Sequence, residues 1–385
     1  MILFFLIICT IQLTFWRKMM LTREIAQTIV IETSLRLKRN INIMDEKGII
    51  IASGDPSRVD DIHEGALEVL KSGETLIIPF NEKGVWRGAH PGINLPIVFQ
   101  NKMVGVIGIT GNPKDIQELC GIVKMITELM IQEKFIASQL EWKLRTKEMI
   151  IEELLKSTPS YSNIERWLNL VGLNLREPFI TTVIQMTDRI ITNQSLINKI
   201  EGLIGEKHCL VGFININRMF IAFSGYSEHE SDKKLNSIYV ELKKLKLNFR
   251  LAYSTPFISL SKFNQSYIDC DLALQIGDET EDFISFVEVE PKALIYKIDR
   301  AWGEKFTNRI MNKTLVKYAD TLDVFFKKNL NIQQTADDLF LHRNTLIYRL
   351  SKIEKDTGYD PKRFKDALTL QLALWCDKRL KSGEL

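Results

Sequence analysis

Cysteine pairs are missing from this chain of 385 residues. Its five cysteines stand far apart with no C-x-x-C pair, and its five histidines are equally dispersed. That distribution excludes the usual zinc-site and disulfide-framework spacings and is typical of a reducing compartment. The sequence therefore predicts no metal, no cofactor and a cytoplasmic protein. The cysteines are Cys9, Cys120, Cys209, Cys270 and Cys376.

Catalytic signatures are also missing. The sequence has no G-x-S-x-G, no P-loop and no G-x-G-x-x-G that opens a helix, so it lacks the usual marks of a nucleophile or a phosphate cradle. Gly105 and Gly108 fit a strand whose backbone is approached closely. The prediction is that the protein is not an enzyme. The alternative, an enzyme or a sensor-kinase partner, would need the groups that these motifs supply.

The most apolar run, residues 1–16, is short of the ~20 residues that span a bilayer, and it lacks the flanks of a signal peptide. Because Met19 and Met20 stand just before a helical pattern, residues 1–18 are interpreted as an extension from a start assigned too far upstream. The alternative is a weak membrane anchor that leaves the rest of the chain in the cytoplasm, since Arg17 and Lys18 follow the run.

The chain has little net charge. The 51 Lys/Arg and 48 Asp/Glu give a net charge of +3, and residues 321–385 alone hold 12 Lys/Arg and 9 Asp/Glu. The small excess therefore lies at the end of the chain. A length of 385 residues predicts two or three domains, and 45% hydrophobic with 26% charged residues is ordinary for a globular protein.

Residues 331–354 have the pattern of two short helices with a tight joint. Asn331 is a suitable N-cap with Gln334 three residues on, and a second helix begins near Arg343. Its polar side suits phosphates and base edges, so the pattern favours a DNA-binding helix-turn-helix; periodicity alone fits an amphipathic helical hairpin equally well. The apolar side holds Leu346, Ile347, Leu350 and Ile353, and the polar side holds Asn344, Thr345, Tyr348, Arg349 and Lys352.

The amino-acid sequence of this region contains specific motifs. The segments Thr335-Ala336, His342-Arg343-Asn344-Thr345-Leu346, Tyr348-Arg349-Leu350 and Thr357-Gly358-Tyr359-Asp360 closely resemble the C-terminal helix-turn-helix of the sugar diacid regulator (CdaR) and purine catabolism regulator (PucR) families. The resemblance implies a transcription regulator. Because the excess charge is small, tight binding is expected to need two copies on a two-part operator. The expected DNA contacts are Thr335, Arg343, Asn344, Thr345 and Tyr348, with Arg349 and Lys352 on phosphates.

Residues 19–112 predict a sensor domain. An amphipathic helix over 25–37 precedes alternating strands and a helix over 61–71, and a five-stranded antiparallel sheet flanked by helices, a PAS-like architecture, is the simplest assembly. The predicted strands are 41–45, 49–53, 75–79, 93–100 and 103–110.

This domain also resembles the sugar diacid recognition domain of the CdaR regulators, through the segments that begin at Ala52, His63, Pro91 and Val104. One departure is Asp60, where the family pattern has a glycine; its carboxylate could alter ligand choice or point outward. The resemblance implies a small carboxylic acid effector such as galactarate, glucarate or glycerate, whose carboxylates need cations and N–H donors. Without the resemblance, the glycines and prolines would be interpreted as turn formers and His63 as a core histidine. The candidate ligand residues are Ser53, Arg58, His63, His90, Asn94 and Gly111, with the backbone near Gly92.

Residues 113–158 predict one long helical linker. Apolar residues occupy ten of twelve heptad positions from Ile116 to Leu154, with Glu133 and Lys147 as the exceptions. The pattern favours a helix that docks on the sensor and then pairs with a second copy in a homodimer. The alternative is a helix that lies along its own chain.

Residues 159–300 predict an α/β domain of ferredoxin-like type. It resembles the degenerate GGDEF-like domain of these regulators, with Ser266-Tyr267 and Asp271-Leu-Ala-Leu274 in the expected helix. The Gly-Gly-Asp-Glu-Phe signature is absent, so we expect a structural or dimerising module. With residues 310–385 as an all-α head, the whole chain is expected to be an α+β multidomain activator of sugar diacid or glycerate utilisation genes. A membrane-tethered regulator of the same family, responding to another small acid, is the alternative.

Overall fold

The computed structural model describes residues 21–82, 84–187 and 191–382. The chain divides into two compact units, with the boundary between Leu144 and Arg145. The interpretation of residues 1–18 as a misplaced start or weak anchor concerns residues outside the described ranges. Within those ranges, no helix has both the length and the apolar composition that crossing a bilayer requires.

The first unit is built on a five-stranded antiparallel sheet in the order β2-β1-β5-β4-β3. All five predicted strands are present. The second helix begins three residues later than predicted, because residues 56–58 form a 3-10 turn and His63 caps the helix. The elements are α1 (Arg23–Leu37), β1 (Ile41–Met44), β2 (Ile50–Ser53), α2 (Glu64–Ser72), β3 (Leu76–Ile78), β4 (Gly92–Phe99) and β5 (Lys102–Thr110).

The two faces of this sheet bury different neighbours. Isoleucines at alternate positions, such as Ile41, Ile43 and Ile107, share one core with α1 and the following helix. Met44 and Val106 point to the opposite face, where they share a smaller core with α2. Because side chains alternate along a strand, Asn42 and Gly108, each two positions from one of these residues, lie on the α2 face as well.

One helix of 42 residues, α3 (Pro113–Leu154), follows the sheet, as the sequence predicts. Its beginning packs into the core of the first unit through Ile116, Val123 and Ile131. The first positions of the predicted heptad, Ile116 and Val123, therefore face their own domain and cannot face a second chain. At its other end, Ile151 and its neighbours are buried within the second unit.

The second unit begins with a mixed sheet in the order β10-β9-β6-β8-β7, in which the short β10 runs parallel to β9 and the other pairs are antiparallel. The domain is an α/β unit, as the sequence predicts. The elements are α4 (Tyr161–Val171), β6 (Phe179–Met186), α5 (Asn193–Ile204), β7 (Cys209–Asn215), β8 (Arg218–Ser224), α6 (Glu228–Lys244), β9 (Phe249–Tyr253), α7 (Phe263–Ile276) and β10 (Phe283–Ser285). The mixed α+β class expected for the chain is confirmed.

The rest of the second unit is helical. Residues from the last helices share one core, to which Ile310, Leu322, Leu346, Ile353 and Leu370 contribute. The helices are α8 (Phe286–Tyr296), α9 (Arg300–Ile310), α10 (Lys313–Lys317), α11 (Ala319–Lys327), α12 (Ile332–Asp338), α13 (Arg343–Thr357) and α14 (Phe364–Ser382).

Polar contacts join this helical head to the preceding domain. Arg379 on α14 donates from Nη1 to the carbonyl oxygens of Ile295 at 2.9 Å and Ile298 at 2.6 Å. Lys327 on α11 pairs with Asp278, just after α7, at 2.5 Å. The hydrogen bond from Lys327 is the main reason that the pKa of Asp278 lies well below its usual range.

Candidate functional site

The end of the chain folds as a helix-turn-helix formed by α12 and α13. The Asn331 side chain accepts from the backbone N–H of Gln334 at 3.0 Å, so the predicted cap of the first helix is present. His342 caps the second helix, because its Nδ1 accepts from the backbone N–H of Asn344 at 3.2 Å. Between them, Phe340 adopts a left-handed conformation with φ 52° in the tight joint.

The two sides of α13 separate as the sequence predicts, with one exception. Leu346, Leu350 and Ile353 are buried against the rest of the head. Ile347, predicted on the apolar side, is instead 38% exposed. The outer surface offers a guanidinium, an amide, a hydroxyl and a phenol, all groups that bind phosphates or base edges. These exposed residues are Arg343, Asn344, Thr345 and Tyr348.

Of the other three predicted contacts, two are placed differently. Thr335 is fully buried and donates to the carbonyl oxygen of Asn331 at 2.6 Å, so it packs the head and does not reach its surface. Arg349 is half-buried, donates to Thr321 at 2.9 Å and lies over the ring of Tyr318. Lys352 is on the surface.

The α2 face of the first sheet carries a buried polar row. Asn42 on β1 pairs in register with Ser53 on β2 and with Gly108 on β5, and Gly108 pairs with Asn94 on β4. Ser53 donates to Asn42 Oδ1 at 2.6 Å. A Cβ at position 108 would lie 2.7 Å from Asn94 Oδ1, so only glycine leaves room for this amide.

Arg58 is the strongest anion-binding candidate in the first unit. Its guanidinium is buried and donates from Nη2 to the carbonyl oxygen of Gly88 at 2.5 Å. Its Nη1 is also buried and has no hydrogen-bond partner among the described residues, and the same holds for the indole Nε1 of Trp86. Buried donors without partners are costly, so both atoms suit a ligand that brings acceptor oxygens. Trp86 was not among the predicted residues, because a single tryptophan in a loop carries no periodic signal.

His63 is buried at the N-terminus of α2, and its Nδ1 accepts from the backbone N–H of Ala66 at 3.1 Å. Burial, with the nearby charge of Arg58, lowers the pKa of His63 to about 4. The imidazole is therefore neutral at pH 7 and carries its proton on Nε2. It can donate a hydrogen bond, but it does not supply a second positive charge.

Two further predicted ligand residues are an exposed histidine and a glycine whose backbone N–H has a partner. His90 is exposed, and its charge acts on His63 from a distance by lowering the pKa of that imidazole slightly. Gly111 donates its backbone N–H to the carbonyl oxygen of Pro91 at 3.0 Å, so this amide is already used. The structure brings Ser53 and Asn94 to one sheet face and places Arg58 and His63 at the start of α2, which covers that face.

Family models match three consecutive parts of the chain: "Putative sugar diacid recognition" at residues 21–154, "GGDEF-like domain" at residues 156–276 and "PucR C-terminal helix-turn-helix domain" at residues 318–376. The carbohydrate diacid regulator of Escherichia coli (strain K12) is 27% identical over 378 residues, which are 93% of this chain and 98% of that protein. The chain is therefore similar to the carbohydrate diacid regulator over nearly its whole length, and it combines a sugar diacid recognition domain with a PucR-type helix-turn-helix. It is a transcription regulator with a DNA-binding helix-turn-helix.

Two further relatives match over similar lengths. An uncharacterized protein of Haemophilus influenzae is 27% identical over 373 residues, covering 92% of this chain and 98% of the relative. The protein YsfB of Bacillus subtilis (strain 168) is 26% identical over 364 residues, covering 93% and 98%.

Asp60, which stands where a glycine was expected, has a backbone conformation that favours glycine and a side chain that points outward. Its φ is 78°, in the left-handed region that favours glycine. Its carboxylate pairs with Arg23 on α1, with both side chains more than half exposed. Of the two interpretations left open by the sequence, the structure supports the outward-pointing one.

Proposed function

We propose that this protein is a cytoplasmic, homodimeric sugar diacid regulator, which activates genes of sugar diacid or glycerate utilisation when a small carboxylic acid binds its first domain. Galactarate, glucarate and glycerate are the candidate effectors, and the two diacids among them are in line with the similarity to the carbohydrate diacid regulator of Escherichia coli. The main support for a carboxylic acid effector is the buried Nη1 of Arg58, which has no hydrogen-bond partner among the described residues. A carboxylate is the natural acceptor for a guanidinium.

The fold of the first unit supports a sensor role. A five-stranded antiparallel sheet with helices on both faces fits the proposed PAS-like architecture. The polar row of Ser53, Asn42 and Asn94 offers amide and hydroxyl groups on the face that α2 covers. Such groups match the hydroxyls of a sugar acid, because convergent polar groups fix the orientation of a small ligand.

The charge of the site narrows the effector. Arg58 is the one buried Lys or Arg among the described residues of the first unit, and His63 is neutral at pH 7. One positive charge balances one carboxylate, and an unbalanced buried charge is expensive. A hydroxy monoacid such as glycerate therefore satisfies the buried part of the site. A diacid must place its second carboxylate toward solvent.

The DNA part of the proposal uses the exposed groups of α13. Arg343, Asn344, Thr345 and Tyr348 face outward at the start of the second helix, which is the part of a helix-turn-helix that enters the major groove. Two heads on half-sites about 34–36 Å apart, or a multiple of that distance, would double the contacts. Effector binding would favour one arrangement of α3 and so change how the heads meet DNA.

The test is a thermal shift of the full-length chain with galactarate, glucarate, glycerate, glycolate and allantoin. A ligand that binds only the folded state stabilises it by about 2.7 kcal/mol at 100 times its Kd. We expect a saturable rise with at least one hydroxy acid and none with allantoin, which lacks a carboxylate. No rise with any acid would overturn the effector assignment and leave the DNA-binding assignment standing.

A membrane-tethered regulator of the same family, responding to another small carboxylic acid, is the second candidate. It is motivated by the apolar run at residues 1–16. Cell fractionation of proteins started at Met1 and at Met20 separates the two. A membrane fraction that depends on the Met1 start would favour the tethered form.

A further inference from the structure

Helix α3 has a second apolar face that its own domain leaves uncovered. Between positions 122 and 140 of this helix, six large apolar side chains are between 38% and 56% exposed. They lie roughly 150° around the helix from Ile116, Val123 and Ile131, the residues that pack into the core of the first unit. This exposed stripe consists of Ile122, Met125, Ile126, Leu129, Ile136 and Leu140.

The stripe has the spacing of a coiled coil. Positions 122, 126, 129, 133, 136 and 140 are separated by alternating steps of four and three residues, which is the heptad repeat. Five of these six positions are apolar, and Glu133 is the exception. A repeat of this kind fits another helix of similar length, because each apolar side chain must enter a hole on a facing helix.

The partner that fits is a second copy of α3. The helix has 42 residues, whereas the next longest helix in the described part of the chain, α14, has 19. A groove of about 550 Å³ runs beside the stripe and is lined by Val98, Phe99, Met125, Leu129 and Ile136. It widens the apolar surface available to a second helix.

We propose that the exposed stripe of α3 is the dimer interface of this regulator. The proposal rests on the homodimer part of the proposed function and is independent of the effector. It replaces the predicted heptad positions that face the sensor core, such as Ile116 and Val123, and keeps Ile126 and Leu140 of that heptad. The sensor core and the dimer interface then occupy two faces of one element, so a shift of α3 against the sheet also moves the interface.

Glu133 makes this interface weaker than an uninterrupted coiled coil. It occupies a position where apolar residues are preferred, and its side chain is exposed in the single chain. A polar residue at such a position lowers stability and restricts how the helices pair. Glu133→Leu is therefore expected to tighten the dimer, whereas charges placed at Ile126 and Ile136 should separate it.

The test is sedimentation equilibrium of the full-length chain and three variants. We expect a dimer for the natural chain, a Kd raised about 100-fold or more by Ile126→Lys with Ile136→Lys, and a Kd lowered at least tenfold by Glu133→Leu. Ile31→Lys is the matched control, because Ile31 on α1 is 56% exposed, as is Ile136. Circular dichroism melting confirms that each variant is folded.

A natural chain that stays monomeric, or a dimer that the double lysine variant leaves intact, would overturn the proposal. So would an equal loss in Ile31→Lys. Failure of the effector proposal looks different, because it would abolish the thermal shift and leave the dimer and its response to Glu133→Leu unchanged.

Discussion

Lys147 on α3 and Glu201 on α5 form an ion pair in which the two side chains are only 4% and 8% exposed. The sequence presents Lys147 as an interruption of an apolar heptad, and the structure gives it a buried partner. The backbone is close-packed here too, since a Cβ at Gly212 on β7 would lie 2.6 Å from Ile151 Cδ1. A buried ion pair and close packing against β7 therefore fix the end of α3 within the second unit.

Replacing Lys147 by Met is expected to lower the free energy of unfolding of the second unit by about 3–5 kcal/mol, because Glu201 stays buried without its cation. The double variant Lys147→Met with Glu201→Leu should lie within about 1 kcal/mol of the natural chain, since apolar pairs often replace buried ion pairs without loss. Hydrogen exchange of the α5 and β7 amides measures the free energy of unfolding of both variants. A double variant as unstable as the single one would contradict this account.

Arg58→Gln is expected to abolish the effector-induced thermal shift, because it removes the buried charge that balances a carboxylate. Asp60→Asn is the matched control. Asparagine tolerates the left-handed backbone and removes only the outward carboxylate that pairs with Arg23. Calorimetric titration should give an effector Kd for Asp60→Asn within about twofold of the natural chain, a change of under ~0.5 kcal/mol. Equal losses in both variants would show that Asp60 shapes the site after all.

The first unit should lose stability as pH falls from 6.5 toward 4. The unfolded state binds a proton on His63 near pH 6.5, and the folded state resists it until about pH 4. Between these values the free energy of unfolding should fall by about 1 kcal/mol per pH unit, and it should be fully present above pH 6.5. His63→Asn keeps an N-cap without a titrating ring. Urea denaturation at several pH values should show a shallower slope for this variant; identical slopes would exclude His63 as the cause.

Substitutions at the two ends of the exposed surface of α13 should have different effects on DNA affinity. Asn344→Ala removes an exposed amide suited to adenine, so it should cost about 1–3 kcal/mol on the operator and little on random DNA. Lys352→Ala should weaken both about equally and reduce the salt dependence, because Lys352 is expected to contact phosphate. Its side chain pairs with Asp356 at 3.1 Å in the free protein, so the loss should be modest. Fluorescence anisotropy at several salt concentrations distinguishes the two, and equal losses on both DNAs for both variants would refute the assignment.

Periodicity and turn chemistry were sufficient to predict most of the elements. The hairpin at residues 45–49 is an example, because Asp45 accepts from the backbone N–H of Lys47 and Ile49, and Gly48 supplies φ 76°. These are local interactions, so the sequence displays them. The helix-turn-helix was predictable for the same reason, since its caps at Asn331 and His342 lie within three residues of the groups that they bind.

Contacts between distant residues were not predictable in this way. A helical wheel places Arg349 on the polar side, but Tyr318 and Thr321, 31 and 28 residues earlier in the sequence, take up its guanidinium. Thr335 likewise reads as a surface residue and lies buried. A periodic pattern gives the face of a residue and not the identity of its neighbour, so the partner of Arg58 at Gly88 also had to come from the structure.

The bonds from Arg379 to the carbonyl oxygens of Ile295 and Ile298, with the Lys327–Asp278 pair, have a consequence for operator architecture. Because the helical head is bonded to its neighbouring domain at two places, it has little freedom to rotate relative to that domain. An operator with one extra base pair between its half-sites would rotate one half-site by about a tenth of a turn relative to the other. This joint could not absorb that rotation, so promoters served by the regulator should keep a constant spacer length even where the spacer sequence varies.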